Sequence, residues 1–309
     1  MDGLLVIDKP VGPTSHDVVA RVRRILRERR IGHTGTLDPG ASGVLPLVVG
    51  RATRLARFLS AAEKSYEAVV RLGLATDTGD SAGLPVGSAF AGPLPERDII
   101  ARALDAFRGT YIQQPPAYSA KKIGGQRSYR LARAASGGQS LALSPPLPAP
   151  VRVTVHALEV LSVRDDLVVL RIDCSAGFYV RGLARDLGEH LGIGAHLAAL
   201  RRTRSGDLTL ADATALVVLE QDPSRALAAL VPLARMLPAL TPLILTDEGA
   251  RRAGHGLNLG PADFEGGRAA GAAAAGATPY RLLDRRGDLV GVAVALESSE
   301  LLHPAVVLV

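Results

Sequence analysis

The sequence is poor in the features that mark several common classes of protein. It holds one cysteine, Cys174, so an internal disulfide framework is excluded and a reducing, cytoplasmic setting is expected. No run approaches the ~18 apolar residues that a membrane-spanning helix needs. The opening MDGLLVIDKP places acids around a short apolar run. A secretory leader would begin with basic residues, so none is expected. The 7 histidines are scattered, with no pair at metal-ligand spacing and no cysteine cluster beside them, which argues against a metal site. Lysine is scarce too: Lys9, Lys64, Lys121 and Lys122 are the only lysines among 36 basic residues.

What is present is a 309-residue chain, 47% hydrophobic and 21% charged, which suffices for a sizeable core and suggests two domains, or one large domain with an appendage. The net charge of +6 is uneven. Residues 1–237 carry 30 basic and 22 acidic side chains, whereas 238–309 carry 6 and 8. Within 21–71 there are 11 bases against 4 acids. A basic N-terminal part points to a polyanionic partner, nucleic acid being the commonest. An arginine-rich codon bias with a merely solvated surface explains the charge equally well.

Hydrophobic periodicity predicts a strand over 3–8, then a Gly12-Pro13-Thr14-Ser15 turn and cap. A helix follows, with Val18, Val19, Val22, Ile25 and Leu26 on one side and Arg21, Arg23, Arg24 and Arg27 on the other. Residues 32–43 read as a loop, 44–49 as a buried strand, 51–59 as a helix and 65–73 as a strand. A Gly/Pro/Ser loop over 76–95 precedes a helix over 96–107 with Ile99, Ile100, Ala103 and Leu104 toward the core. Segment 113–148 is an irregular, low-apolar excursion with a short polar helix around 128–135, and such a segment is usually functional. Strands near 151–161 and 167–174, a helix over 179–191 and a strand over 195–204 complete the larger part. Beyond Pro238 a small module carries a flexible Ala/Gly-rich loop at 266–276 and a hairpin turning at Arg286-Gly287-Asp288.

Three segments could carry chemistry. In Ile31–Gly43, a tight loop of glycines, one proline and one acid joins a basic helix to a buried strand. Asp38 is the only acid between Glu28 and Glu63, an anion suited to nucleophilic attack, although an Asp-Pro turn cap is the commoner role for such a pair. In Lys64-Ser65-Tyr66-Glu67, Tyr66 could stack on a base or move a proton, or simply pack. In Cys174–Gly188, Arg181 stands at a helix start, where the helix dipole disfavours it, so a carboxylate partner is expected. Asp186 on the same helix is one candidate partner.

Taken together, these segments resemble the TruB-type tRNA pseudouridine synthases. The resemblance rests on His33-Thr34-Gly35-Thr36-Leu37-Asp38-Pro39 followed by Ala41-Ser42-Gly43, on Gly3–Pro10 with Gly12-Pro13-Thr14-Ser15, and on Gln114–Lys122. It also rests on Tyr179-Val180-Arg181 and Leu200-Arg201-Arg202-Thr203. It spans about residues 3–235, while 238–309 are more loosely similar to the small PUA-type β-barrel that follows this catalytic domain.

The resemblance implies an α+β fold: a mixed, largely antiparallel sheet with flanking helices over 1–237, and a PUA-like β-barrel over 238–309. It implies isomerisation of one uridine in the T-loop of tRNA, with no cofactor and no metal. Asp38 would be the nucleophile, at C1′ or C6, and Arg181 its partner. The target base would be flipped out of its stack. Tyr66 would stack on it and handle the C5 proton. Tyr179 and Leu200 would line the same pocket. His33 would contact the rearranging loop nucleotides, with a protonation switch below pH 6.5 conceivable. Arg23, Arg24, Arg27, Lys121, Lys122, Arg127 and Arg130 would form the phosphate surface, with 113–148 a mobile arm that orders on RNA. The tRNA T-arm is the expected partner, of a monomer with no obligate protein partner and no membrane contact. A non-catalytic RNA-binding protein and a nucleoside glycosidase are the competing readings. The latter requires a second carboxylate, for which Asp8 beside Lys9 looks structural.

Overall fold

The computed structural model describes residues 1–119, 121–136, 146–267, 279–296 and 300–308. The chain opens with β1 (Gly3–Lys9), α1 (Ser15–Leu26), β2 (Ile31–His33) and β3 (Ala41–Val49). A 3₁₀ segment over Gly50–Leu55 leads into α2 (Ala56–Ser60) and β4 (Lys64–Leu72). A small hairpin, β5 (Ala75–Thr76) and β6 (Pro85–Val86), precedes α3 (Arg97–Asp105) and β7 (Gly109–Gln113). The next segment holds a second hairpin, β8 (Lys122–Ile123) with β9 (Gln126–Arg127), and α4 (Ser128–Ser136). Then come β10 (Val151–Arg164), β11 (Leu167–Cys174), α5 (Val180–His190) and β12 (Ala195–Ser205). Short elements return the chain to β1: β13 (Leu208–Thr209), β14 (Thr214–Ala215), α6 (Leu216–Gln221), α7 (Ser224–Ala228) and β15 (Val231–Pro232). The C-terminal module contributes β16 (Thr241–Ile244), α8 (Asp247–Gly254), β17 (Tyr280–Leu283), β18 (Leu289–Ala295) and β19 (Leu302–Val307).

The main sheet runs β14-β1-β3-β12-β4-β11-β10-β7. Its β1/β14 and β3/β12 contacts are parallel and the others along this path antiparallel, so the fold is α+β with a mixed, largely antiparallel sheet. Helices α3 and α5 cover β4, β10 and β11, burying Ile100, Leu104, Leu183 and Leu187 against Val70, Leu158 and Leu170. Helix α1 packs Val18, Val19, Val22 and Leu26 on Leu5, Ile7, Leu45 and Leu47. It begins with a capping box, Thr14 accepting from the Asp17 N–H while Asp17 accepts from Thr14, and it ends at Arg27 in the left-handed region.

Strands β1 and β3 are apolar on both faces because both faces are covered. Leu5 and Ile7 face α1, while Leu4 and Val6 join Val44, Val48 and Leu55 in a second cluster. That second cluster includes Leu289, Val292 and Leu308 of the C-terminal module. The composition break near 238 thus separates two sheets that share one core. The 3₁₀ and α2 segment strengthens the junction. Arg51 Nη1 donates to Leu308 O at 2.6 Å, Arg54 Nη1 to Val307 O at 2.6 Å, and Arg57 Nη2 to Ala305 O at 3.3 Å. Three of the bases in the strongly basic stretch are therefore engaged in joining the module to the larger domain.

The elements differ from the sequence reading in a few places. The loop over 32–43 shortens to 34–40, because Ile31–His33 pairs with Leu47–Val49 and β3 begins at Ala41. Ile99 is exposed, because Ile100, Ala103 and Leu104 take the buried stripe of α3 and leave Ile99 one helical step outside it. Helix α8, with Thr246 as its N-cap, had no clear apolar signal in the sequence. Among the described residues the C-terminal module forms a four-stranded sheet in the order β16-β17-β18-β19, and the hairpin turn at 286–288 lies between β17 and β18 as expected. The greater part of the Ala/Gly loop, from 268 onward, lies outside the described residues, as do residues 120 and 137–145 of the proposed arm.

Candidate active site

Asp38 sits at the mouth of a cavity of ≈ 380 Å³ lined by residues 33–38, Lys64, Tyr66, Tyr179, Arg181, Leu200 and Arg202, among others. The loop that carries it is held from below by the opening strand and turn. Lys9, fully buried, donates from Nζ to Ala41 O at 2.6 Å and Pro10 O at 2.9 Å. The Ser15 hydroxyl donates to Leu37 O at 3.0 Å and accepts from Leu37 N–H at 2.8 Å, and Gly12 N–H donates to Pro39 O at 2.8 Å. Two motifs separated in sequence are thus one mechanical unit: Lys9, Gly12 and Ser15 set the backbone from which Asp38 projects. Gly43 completes it where β3 meets β12. At φ +100° a β-carbon there would lie 2.2 Å from Arg202 O, so only glycine fits.

Arg181 meets this loop from α5. Its Nε lies 2.9 Å from Asp38 Oδ2 and 3.6 Å from Asp80 Oδ2, and its Nη1 and Nη2 donate to Thr78 O at 3.0 Å and Tyr118 O at 2.7 Å. The Arg181 side chain is 7% exposed and that of Asp38 41%, so the ion pair has a buried cation and an accessible carboxylate. Asp186 is not its partner: Arg185 holds Asp186, with Nε 2.8 Å from Oδ1. Helix α5 has no side-chain cap of its own. Buried Gln113 at the end of β7 takes that place, with Oε1 accepting from Tyr179 N–H at 2.9 Å and Nε2 donating to Tyr179 O at 3.0 Å.

Tyr66 and Lys64 project from one face of β4 into the pocket, two residues apart. Across the pair, Arg202 of β12 faces Tyr66. Arg202 is 1% exposed and donates to Val44 O at 2.7 Å and Gly35 O at 3.1 Å. Burial pushes the Tyr66 phenol pKa up, with the nearby Arg202 charge opposing. Burial likewise raises that of Tyr179. His33 lies edge-on to His16, their ring centroids 5.1 Å apart. Burial, then the charges of His16, Arg202 and Arg127, push His33 down to about 4, which favours the neutral ring at physiological pH and puts any protonation switch well below pH 6.5.

The expected phosphate residues whose side chains are described lie on the surface. Arg24 and Arg27 are exposed on α1, and Arg23, also exposed, donates from Nη2 to Ile31 O at 2.7 Å. Lys121, Arg127 and Arg130 are exposed, and Arg127 lies close enough to act on His33. The Lys122 side chain falls outside what is described. Asp8 pairs with Arg201, Nη2 to Oδ2 at 2.8 Å, in the structural role anticipated for it. Sequence reasoning assigned no role to Lys9, Lys64, Asp80, Gln113 or Arg202. Lys64 and Arg202 stood inside quoted segments, and their burial was the missing signal. Among the described residues no group of three or more His, Cys, Asp or Glu is placed to hold a metal, and no helix is long and apolar enough to cross a membrane.

The chain is similar to known proteins in sequence and in structure. Residues 23–180 match the TruB family pseudouridylate synthase N-terminal domain, and residues 181–237 the tRNA pseudouridylate synthase B C-terminal domain. The chain is 42% identical over 311 residues, 100% of both chains, to tRNA pseudouridine synthase B of Solibacter usitatus (strain Ellin6076). It is 44% identical over 274 residues to that of Thermobifida fusca (strain YX), covering 86% of this chain and 89% of the relative. It is similar in structure to the archaeal box H/ACA sRNP Nop10-Cbf5 complex, with TM-score 0.69, 26% identity and coverage of 99% of this chain and 86% of that one. A further likeness is to an H/ACA RNP bound to a substrate RNA containing 2′-deoxyuridine, with TM-score 0.67, 26% identity and coverage of 96% and 79%. By sequence along its whole length and by its fold, the chain belongs to the TruB family of tRNA pseudouridine synthases, which isomerise uridine in tRNA to pseudouridine.

Proposed function

We propose that the substrate is the uridine at position 55 in the T-loop of tRNA, and that it reacts flipped out of its stack with Asp38 as nucleophile. The observation that carries this reading is the Asp38–Arg181 pair at 2.9 Å on the wall of a cavity large enough for one nucleotide. The pair orients the carboxylate: Arg181 takes Oδ2 and is itself anchored on two carbonyls, so the carboxylate presents a fixed face to the cavity. Attack at ribose C1′ breaks the N-glycosidic bond directly, whereas attack at uracil C6 adds to the ring first. Either route needs one carboxylate and a base free to turn before it rejoins through C5.

Tyr66 gives the turning ring a face to stack on, and because burial disfavours the phenolate, its hydroxyl can take the C5 proton only by passing its own proton on to an acceptor in the pocket. Tyr179 and Leu200 close the sides, and neutral His33 stacks and hydrogen-bonds at the rim. The exposed Arg24, Arg27, Lys121, Arg127 and Arg130 hold the T-arm by its phosphates. A glycosidase would need a second acid beside a water on the pocket wall. Asp80 is not among the residues lining the cavity, and its carboxylate is taken by Arg181, the Thr78 hydroxyl and Ala82 N–H. The test is tritium release from unmodified tRNA labelled at uracil C5, repeated with uridine 55 replaced by cytidine. Release that persists after that replacement refutes the assignment of position.

A further inference from the structure

The buried charges around the pocket do not balance. Lys9, Lys64, Arg181 and Arg202 are the buried lysines and arginines among the described residues, and all four lie on the pocket wall or directly beneath its loop. Arg181 has carboxylate partners, Asp38 and Asp80. The other three are bonded in the structure to backbone carbonyls: Lys9 to Pro10 and Ala41, Lys64 to Ser60 and Ala62, Arg202 to Val44 and Gly35. Carbonyls satisfy N–H groups but leave the charge in place, and an uncompensated buried charge is expensive. Lys9 and Arg202 have a structural reason to bear that cost, since each ties the Asp38 loop or its neighbouring strand. Lys64 is different. Its two carbonyls belong to the residues just before it, Lys64 lines the cavity, and its ammonium has a third N–H beyond those two bonds.

We propose that Lys64 is an anion site within the pocket, receiving one of the two phosphates that flank the flipped uridine. The proposal deepens the reading above and rests on it. A uracil carbonyl would use the third N–H but not the charge, whereas a phosphate supplies both and enters covalently attached to the target nucleotide. The one acid in the cavity lining, Asp38, is held by Arg181 and is not free to take the role. Lys64 also faces Cys174 of β11, a thiol that burial pushes up to about 12 and which therefore offers no anion. Burial, then the Arg202 charge, brings Lys64 itself down to about 8, the direction expected of a cation that lacks its counter-ion until substrate arrives.

The experiment uses T-arm stem-loops carrying a neutral methylphosphonate at either the 5′ or the 3′ phosphate of the target uridine. The full-length enzyme and its Lys64→Met variant are compared by single-turnover half-saturation, and the same RNAs are bound to Asp38→Asn enzyme so that the answer does not depend on turnover. Lys64→Met should raise half-saturation about 10- to 100-fold, the range of one charged hydrogen bond, with the saturated rate within a few-fold. One of the two methylphosphonates should cost the wild type the same factor and cost Lys64→Met nothing more. Additive losses, or no loss in the wild type at either position, overturn the proposal. If Lys64→Met does not melt cooperatively, the wild-type and Asp38→Asn comparison decides alone: equal binding of all three RNAs refutes the site. Absence of tritium release from the unmodified stem-loop would instead refute the underlying function.

Discussion

Arg181 Nε and Asp38 Oδ2 are 2.9 Å apart, and the same guanidinium reaches Asp80, the carbonyl of Thr78 and the carbonyl of Tyr118. One side chain therefore joins the Asp38 loop, the segment between β5 and β6 and the root of the 113–148 segment. The orientation of the Asp38 carboxylate depends on all three.

Asp38→Asn keeps the volume and removes the carboxylate proposed as nucleophile. Turnover should fall by more than about hundredfold while tRNA affinity stays within a few-fold. Single-turnover tritium release and filter binding measure the two quantities. Release within that hundredfold would count against covalent catalysis by Asp38.

Arg181→Lys should behave almost as badly as deletion of the charge. An ammonium cannot span two carboxylates and two carbonyls at fixed angles, so the carboxylate loses its orientation. The saturated rate should drop by about hundredfold or more with a much smaller change in half-saturation. A rate near wild type would mean that charge alone suffices.

His33 makes stability depend on pH. Its folded-state value of about 4 lies below the ordinary 6.5, so between these values the unfolded chain binds more protons. The stabilising contribution is complete above pH 6.5 and is lost as pH falls toward 4. Urea midpoints of the wild type should therefore fall more steeply between pH 7 and pH 5 than those of His33→Gln, and equal slopes would show that His33 is not desolvated.

Salt dependence should report on α1. With about five phosphates neutralised, log K should fall against log[salt] with a slope of roughly −3.5 to −4.5. Replacing Arg24 and Arg27 together by Gln should flatten it by roughly 1.4 to 1.8. Arg23→Gln should also lower stability, because its guanidinium holds Ile31 O at 2.7 Å. An unchanged slope would mean that the helix faces solvent in the complex.

Charge and motif position alone predict that removing 238–309 weakens tRNA affinity and spares chemistry. The shared core changes that expectation. Removal would bare Leu4, Val6, Val44, Val48 and Leu55 and strip the acceptors from Arg51, Arg54 and Arg57. The truncated chain should not unfold cooperatively. A milder probe, Leu308→Ala at a fully buried site, should cost about 2–5 kcal/mol in urea denaturation. A cooperative, fully stable truncation would show the two parts to be independent.

The sequence by itself determined which residue types meet and what they can do. The apolar periodicity located α1, β4, β11, α5 and β12 to within a few residues, because each buries a face with its own repeat. The isolated acid of the glycine-rich loop offered an anion, the arginine misplaced at a helix start called for a carboxylate partner, and the family resemblance joined them. Local signals could not show the helix step that exposes Ile99, nor the joint burial that links β1 and β3 to the C-terminal sheet. Nor could they show that Lys9 and Ser15 exist to hold a loop more than twenty residues away. Lys64, Gln113 and Arg202 were invisible as site residues for the same reason. Their chemistry is ordinary until tertiary packing removes water from around them, and only the folded chain decides which charges are desolvated and which partners remain in reach.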